Sequence, residues 1–318
     1  MAVLDVRPGR PWNIRARWTR CTMADRKEPR TSPVRAEAPE HVRDTLFQGM
    51  GLCIDDFRCR ACVAPRGAEE PNATHSIVFV RRGLFLRESR DGTIVCDANR
   101  VLFFNQGEGY RYAHPVAGGD DCTIVALEDA AAWKFVEEAE LLADPARGPF
   151  QAGDAPAERR AAQLHSELLA ALDKRAPALA VQEIVLELVE EALRALRRSD
   201  SARPLTHAQR TLVEEARLRL QRSFASPPAL TELAASLGCS PFHLSRLFRA
   251  ATGLGLRHHV RRLRARLAAE RLRRGAANLT ELALELGFCD HSHFTRTFRT
   301  EWGVAPSRLA TGSSRHRA

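Results

Sequence analysis

The sequence predicts an α+β protein, with an N-terminal antiparallel β-barrel carrying helices and a C-terminal all-α domain built on two helix-turn-helix units. Three observations support this. Near the C-terminus Leu230 opens LTELAASLG and Leu279 opens LTELALELG, and each is followed by H-φ-[ST]-R-x-F-R-x-x-x-G, beginning at His243 and His293. The offset is 49 up to Gly238/Gly287 and 50 from Cys239/Cys289, because Phe288 is one extra residue in the turn. Upstream, short apolar runs alternate with Gly-rich turns at roughly 8–12-residue spacing, the signature of an antiparallel sandwich or small barrel. Finally, the charge is segregated: residues 205–318 hold 19 Arg, no Lys and eight acidic residues, a net of +11, so the rest of the +9 chain carries −2. Positive charge that coincides with the repeat is what a phosphate-contacting segment requires.

The elements follow in order. Residues 1–40 are rich in Arg, Pro, Thr and Ser without periodicity, and predict a disordered arm. Residues 41–200 form the front domain. Its strands are IVFV (77–80), LFL (84–86), TIVC (93–96), VLFF (101–104) and CTIVAL (122–127), broken by turn chemistry such as Asp91-Gly92. From about 129 to 198 the pattern turns helical. Ile184, Val185, Leu188, Val189, Ala192, Leu193 and Leu196 make an apolar stripe that can cover the barrel or join two copies as a homodimer. After Arg203-Pro204 a helix over about 206–223 opens the basic domain, 205–318. No run of eighteen apolar residues crosses a membrane, and the N-terminal stretch lacks the apolar region of a secretory signal. Eight scattered cysteines suit reduced thiols, so a cytoplasmic protein without a membrane partner is expected.

Each repeat reads as a helix, a glycine turn and a second helix able to enter a DNA major groove. Asn278 is a good N-cap, with Glu281 at capping-box spacing. Ala229 is a poor one, for which Thr231 or Thr280 could substitute. Gly238 and Gly287 stand where the backbone must turn. In the second helices, Leu244, Leu247, Phe248 and Ala251, and then Phe294, Thr297 and Phe298, face inward. The outward set is Phe242, Ser245, Arg246 and Arg249 in the first unit, and His291, Ser292, Thr295, Arg296 and Arg299 in the second. These nine are the expected DNA-binding residues. Arg246 and Arg296 occupy equivalent positions, where a guanidinium can bond guanine O6 and N7 for about 1–3 kcal/mol of discrimination. Arg249 and Arg299 suit phosphate, and His243 and His293 lie nearer the packed face. Between the units, eight of the residues from Arg257 to Arg274 are Arg, over an apolar stripe of Val260, Leu263 and Leu267. A continuous helix there would hold the two readers about one duplex turn, ~34 Å, apart.

The run L-x-E-L-A-x-x-x-G-F-x-D-x-S-x-F-x-R-x-F-R-x-x-x-G-x-x-P, Leu279 to Pro306, resembles the DNA-binding domain of the AraC/XylS family of bacterial transcription regulators. That resemblance implies seven helices in two subdomains joined by a long central helix, base contacts from both recognition helices, RNA polymerase as a partner and activation as the commoner outcome. Cys289, at a usually polar position, and Gly255-Leu256, in place of a small-Pro pair, are its departures. Segments 75–87 and 110–127 resemble the cupin-like sensing barrel that precedes this domain in many members, which implies a small-molecule effector.

The rival reading is a metal- or redox-dependent sensor, or a cupin enzyme, using Cys59, Cys62, His75 or His114. Cupin enzymes bind metal through His-x-His, Glu and a later His. Here the segment before IVFV reads Gly67-Ala68-Glu69-Glu70-Pro71, and His75 and His114 do not restore the set. Cys59-Arg-Ala-Cys62 lacks the second pair usual for structural zinc, and on a strand the two would face opposite ways. The expectation is a non-enzymatic regulator without metal or cofactor that binds double-stranded DNA.

Overall fold

The computed structural model describes residues 41–60, 67–200, 205–276 and 278–313, all within one compact unit. The predicted arm and Cys62 lie outside the described residues. The front half holds β1 (His41–Gly49), β2 (Leu52–Cys59), β3 (Glu70–Pro71), β4 (His75–Gly83), β5 (Phe85–Ser89), β6 (Gly92–Cys96), β7 (Arg100–Phe104), β8 (Gly109–Ala113), β9 (Asp120–Leu127) and β10 (Asp154–Pro156). Its helices are α1 (Asp129–Glu138), α2 (Arg159–Asp173) and α3 (Ala178–Asp200).

The strands form two antiparallel sheets, β1-β2-β9-β4-β7-β10 and β3-β8-β5-β6. The predicted closed barrel is thus an open pair of sheets. Alternation along the central strands explains why they read as unbroken apolar runs. Ile77, Phe79, Val101, Phe103 and Val125 face a core shared with α2 and α3, whereas Val78, Val80, Leu102, Phe104 and Cys122 face the smaller sheet and pack on Phe85, Cys96 and Tyr110. With both faces covered, period-two polarity vanishes even in an antiparallel sheet.

The stripe on α3 resolves in favour of packing within the chain. Val185, Leu188, Val189, Ala192, Leu193 and Leu196 are buried in the core under the large sheet, with Ile184 partly buried against it. Between the two sheets, Val78, Val80, Phe85, Leu102, Phe104 and Tyr110 pack into a second core.

The back half is α4 (His207–Arg222), α5 (Leu230–Ser236), α6 (Pro241–Thr252), α7 (Leu256–Arg273), α8 (Leu279–Glu285), α9 (His291–Trp302) and α10 (Pro306–Ser313). α4, α5 and α6 close one core with Val260, and α8 and α9 close another with Leu263, Leu267 and Leu272. The continuous α7 therefore belongs to both cores, one at each end.

Candidate nucleic-acid interface

The two units are built alike. α5 and α8 each end in a turn at a glycine of positive φ, Gly238 (+70°) and Gly287 (+80°), a conformation most side chains avoid. α6 is capped by Ser240, whose hydroxyl accepts from His243 N at 3.2 Å, with Pro241 as first helical residue. α9 is capped by Asp290, whose carboxylate accepts from His293 N at 2.7 Å. That bond holds the Asp290 carboxyl below its ordinary value. Neither cap was singled out in the sequence, though Ser-Pro and Asp before each helix carried the signal. Asn278 caps α8 as expected, accepting from Thr280 N and Glu281 N at 3.1 and 3.0 Å. At α5 neither threonine substitutes for Ala229: Glu232 instead reaches back to Ala229 N at 3.1 Å.

The predicted faces hold in both helices. Leu244, Leu247 and Phe248, and Phe294, Thr297 and Phe298, are buried. Phe242, Arg246, Arg249, His291, Ser292, Arg296 and Arg299 are exposed, Phe242 to 77%, while Ser245 and Thr295 are half-buried beside them. His243 and His293 are half-buried too. Each unit so presents a matching Arg pair, Arg246/Arg249 and Arg296/Arg299, one turn apart on an open helix face.

Most of the other arginines in this half behave differently. Among the described residues Arg246, Arg249, Arg296 and Arg299 make no ion pair, whereas Arg262, Arg266, Arg271, Arg273 and Arg274 all do. Arg264 is a clamp, donating to Phe224 O (2.8 Å), Gly287 O (2.6 Å) and Ala225 O (3.3 Å). Arg266, buried, donates to Ala98 O and Ala157 O of the front half, each at 2.7 Å, and pairs with Glu301 of α9 at 2.9 Å. Much of the positive charge that looked like a phosphate-binding surface is internal cement.

A polar seam ties the front half to these helices. Arg217 of α4, fully buried, meets Asp97 at 3.0 Å and Glu214 at 2.7 Å. Burial alone would raise the Asp97 carboxyl, but the neighbouring guanidinium outweighs it and holds the group below its ordinary value. Glu214 also accepts from Val95 N at 2.7 Å, covering the edge strand β6. Asn99 donates to His259 O at 3.1 Å, and burial depresses the His259 imidazole to about 3. A cavity of about 60 Å³ lies along the seam beside Phe79, Arg81, His165, Arg266 and Trp302. It is sized for water, far below the 300–1,000 Å³ typical of ligand pockets. None of these seam residues was legible in the sequence.

Of the residues of the rival reading, Cys59 and His114 come together, while His75 is engaged elsewhere. His75 Nε2 pairs with Asp129 at 3.0 Å and its Nδ1 accepts from Gln106 N at 3.1 Å. His114 instead meets Asp120, and the side-chain ligand atoms of Cys59, His114 and Asp120 lie within 4.8 Å of one another. β2 ends at Cys59, and Cys62 lies outside the described residues.

Residues 233–311 match the family model described as a helix-turn-helix domain. The regulatory protein SoxS of Salmonella typhimurium is 33% identical over 81 residues, covering 26% of this chain and 76% of SoxS. The uncharacterized HTH-type transcriptional regulator YfiF of Bacillus subtilis is 31% identical over 136 residues, 43% of each chain. An AraC-type transcriptional regulator structure from Chromobacterium violaceum aligns with 20% identity over 35% of this chain and all of its own, at a TM-score of 0.32. The chain spans less than half the length of the first curated relatives it matches. Among the described residues no helix is long and apolar enough to cross a membrane. A relative one-third identical, three-quarters of it covered, and a repeat whose two copies fold alike give the assignment: the chain belongs to the AraC-type helix-turn-helix transcription regulators.

Proposed function

We propose that this protein is a sequence-specific, transcription-activating DNA binder whose α6 and α9 enter successive major-groove segments on one side of a duplex. Arg246 and Arg296 each contact a guanine, Arg249 and Arg299 hold phosphates, and Phe242, Ser245, His291, Ser292 and Thr295 fill the remaining contacts. The observation that carries this reading is the matched pair of open arginine faces, in a domain whose other arginines are largely committed to internal partners. An unpaired guanidinium keeps all its donors for base edges and phosphates. RNA polymerase is the partner that an activator at a promoter engages. The front half, residues 41–200, is a cupin-like sensing domain whose state is relayed through the Arg217 and Arg266 contacts, and the DNA-binding half is 205–318.

Footprinting on duplexes selected from a random pool tests the geometry. Two protected patches about one helical turn apart on one side are expected, and one short patch would overturn the tandem reading. Arg246→Ala and Arg296→Ala should each cost about 1–3 kcal/mol on the selected duplex and distinctly less on random DNA. Equal losses on both would mean that these arginines position the protein without reading bases.

A further inference from the structure

Two consecutive buried aspartates in β9 are treated in opposite ways. Asp121 accepts from Arg60 (2.6 Å), Arg82 (2.8 Å) and Arg274, so its charge is amply met. Asp120, equally buried, has no Lys or Arg partner among the described residues. Its Oδ1 faces His114 Nε2 at 2.8 Å and its Oδ2 accepts from the Cys122 thiol at 3.1 Å. Cys59 completes the surroundings. The antiparallel β2–β9 register ends at Arg58↔Asp121, which brings Cys59 alongside Asp120, and His114 follows the end of β8. A buried carboxylate facing a thiol and an imidazole is a set of ligands short of a cation.

We infer that Cys59, His114 and Asp120 bind a thiophilic divalent cation of the zinc class, and that its occupancy is transmitted to the second helix-turn-helix unit through Asp121 and Arg274. The donor set chooses the ion. Sulfur and imidazole nitrogen favour borderline-soft zinc over calcium or magnesium, which take oxygen. Bonds of about 2.0–2.3 Å in a tetrahedron space ligand atoms about 3.3–3.7 Å apart, so a group within 4.8 Å needs only a modest contraction. On binding, the Cys59 thiol releases its proton to solvent, the neutral His114 ring ligates through nitrogen, and nothing is oxidised or reduced. Cys122, bonded to Asp120, orients that ligand. His75–Asp129 provides an internal contrast: a His–carboxylate pair at 3.0 Å with its aspartate largely exposed. The relay is short. Asp121 follows the ligand Asp120 directly, and Arg274, anchored by Glu270 at 2.8 Å, caps α7 just before α8. The binding half of this inference stands by itself, while a consequence for DNA rests on the regulator reading above.

Cobalt(II) titration of the full chain under reducing conditions tests the site. One equivalent per chain is expected, with tetrahedral bands and a thiolate-to-cobalt charge-transfer band that zinc abolishes. Cys59→Ser should remove the charge-transfer band, His114→Ala should weaken binding by about tenfold or more, and His75→Ala should change neither. Absence of stoichiometric binding, or a band that survives Cys59→Ser, overturns the site. Should Cys59→Ser fail to fold by thermal melting, an undiminished affinity in His114→Ala does the same. Hydrogen exchange tests the relay: zinc should slow exchange across Leu279–Trp302 in the parent chain, and not in Arg274→Met, which still binds cobalt. Exchange indifferent to zinc in the parent chain would remove the relay and leave the metal site standing.

Discussion

The two helix-turn-helix units share a sequence pattern, a turn glycine and a burial pattern, yet they are held by different means. In the first, the turn at Gly238 is open, with no atom within 4 Å of where a Cβ would sit. In the second, a Cβ on Gly287 would lie 2.1 Å from Ala225 O, because Arg264 pulls the chain leaving α4 against that turn. The first unit is moored through α4 by Arg217 to a fully buried Asp97. The second is moored through Glu301, shared between Arg266 and Arg262 at 2.9 and 3.4 Å. Local pattern thus fixes the shape of a reading head, and neighbours from elsewhere in the chain fix how firmly it is held.

The sharpest way to break this comparison is at the moorings. Arg217→Met strands the buried Asp97 carboxylate and should cost about 3–5 kcal/mol in urea unfolding. Arg266→Met should cost less, because Arg262 still faces Glu301. A larger loss at Arg266 would reverse the ranking of the two anchors. Next come the turns. Gly238→Ala meets only the penalty of a left-handed backbone, about 1–2 kcal/mol. Gly287→Ala adds a collision with backbone and should lower the melting temperature further, so equal shifts would mean that the Ala225 contact yields easily.

The smallest effects lie at the caps. Ser240→Ala should cost about 1 kcal/mol at any pH, since a hydroxyl does not titrate here. The Asp290 cap titrates. Its folded carboxyl is depressed from an ordinary 3.8, so its stabilisation is whole above that value and disappears as pH falls through the lower folded value. Hydrogen exchange at the start of α9 should therefore quicken in strong acid in the parent chain and become insensitive to acid in Asp290→Asn. If α6 responds to acid as α9 does, the difference between the caps is not the cause.

The sequence by itself determined the repeat, the two faces of each recognition helix and the family, because helix period, turn glycines and a 49-residue echo are local facts that survive in one dimension. It determined strands as well, but not their closure: apolar runs that suggest a barrel are strands covered on both faces in an open pair of sheets. Tertiary structure alone decided the work of each arginine. Along α7 nothing distinguishes Arg257, exposed, from Arg264 and Arg266, buried. A guanidinium bonds carbonyls and carboxylates as readily as phosphates, and only position in three dimensions sets which it meets. The same holds for Asp120 and Asp121, identical neighbours in the chain. One faces three arginines and the other a thiol and an imidazole, since adjacent residues of a strand point to opposite sides of the sheet.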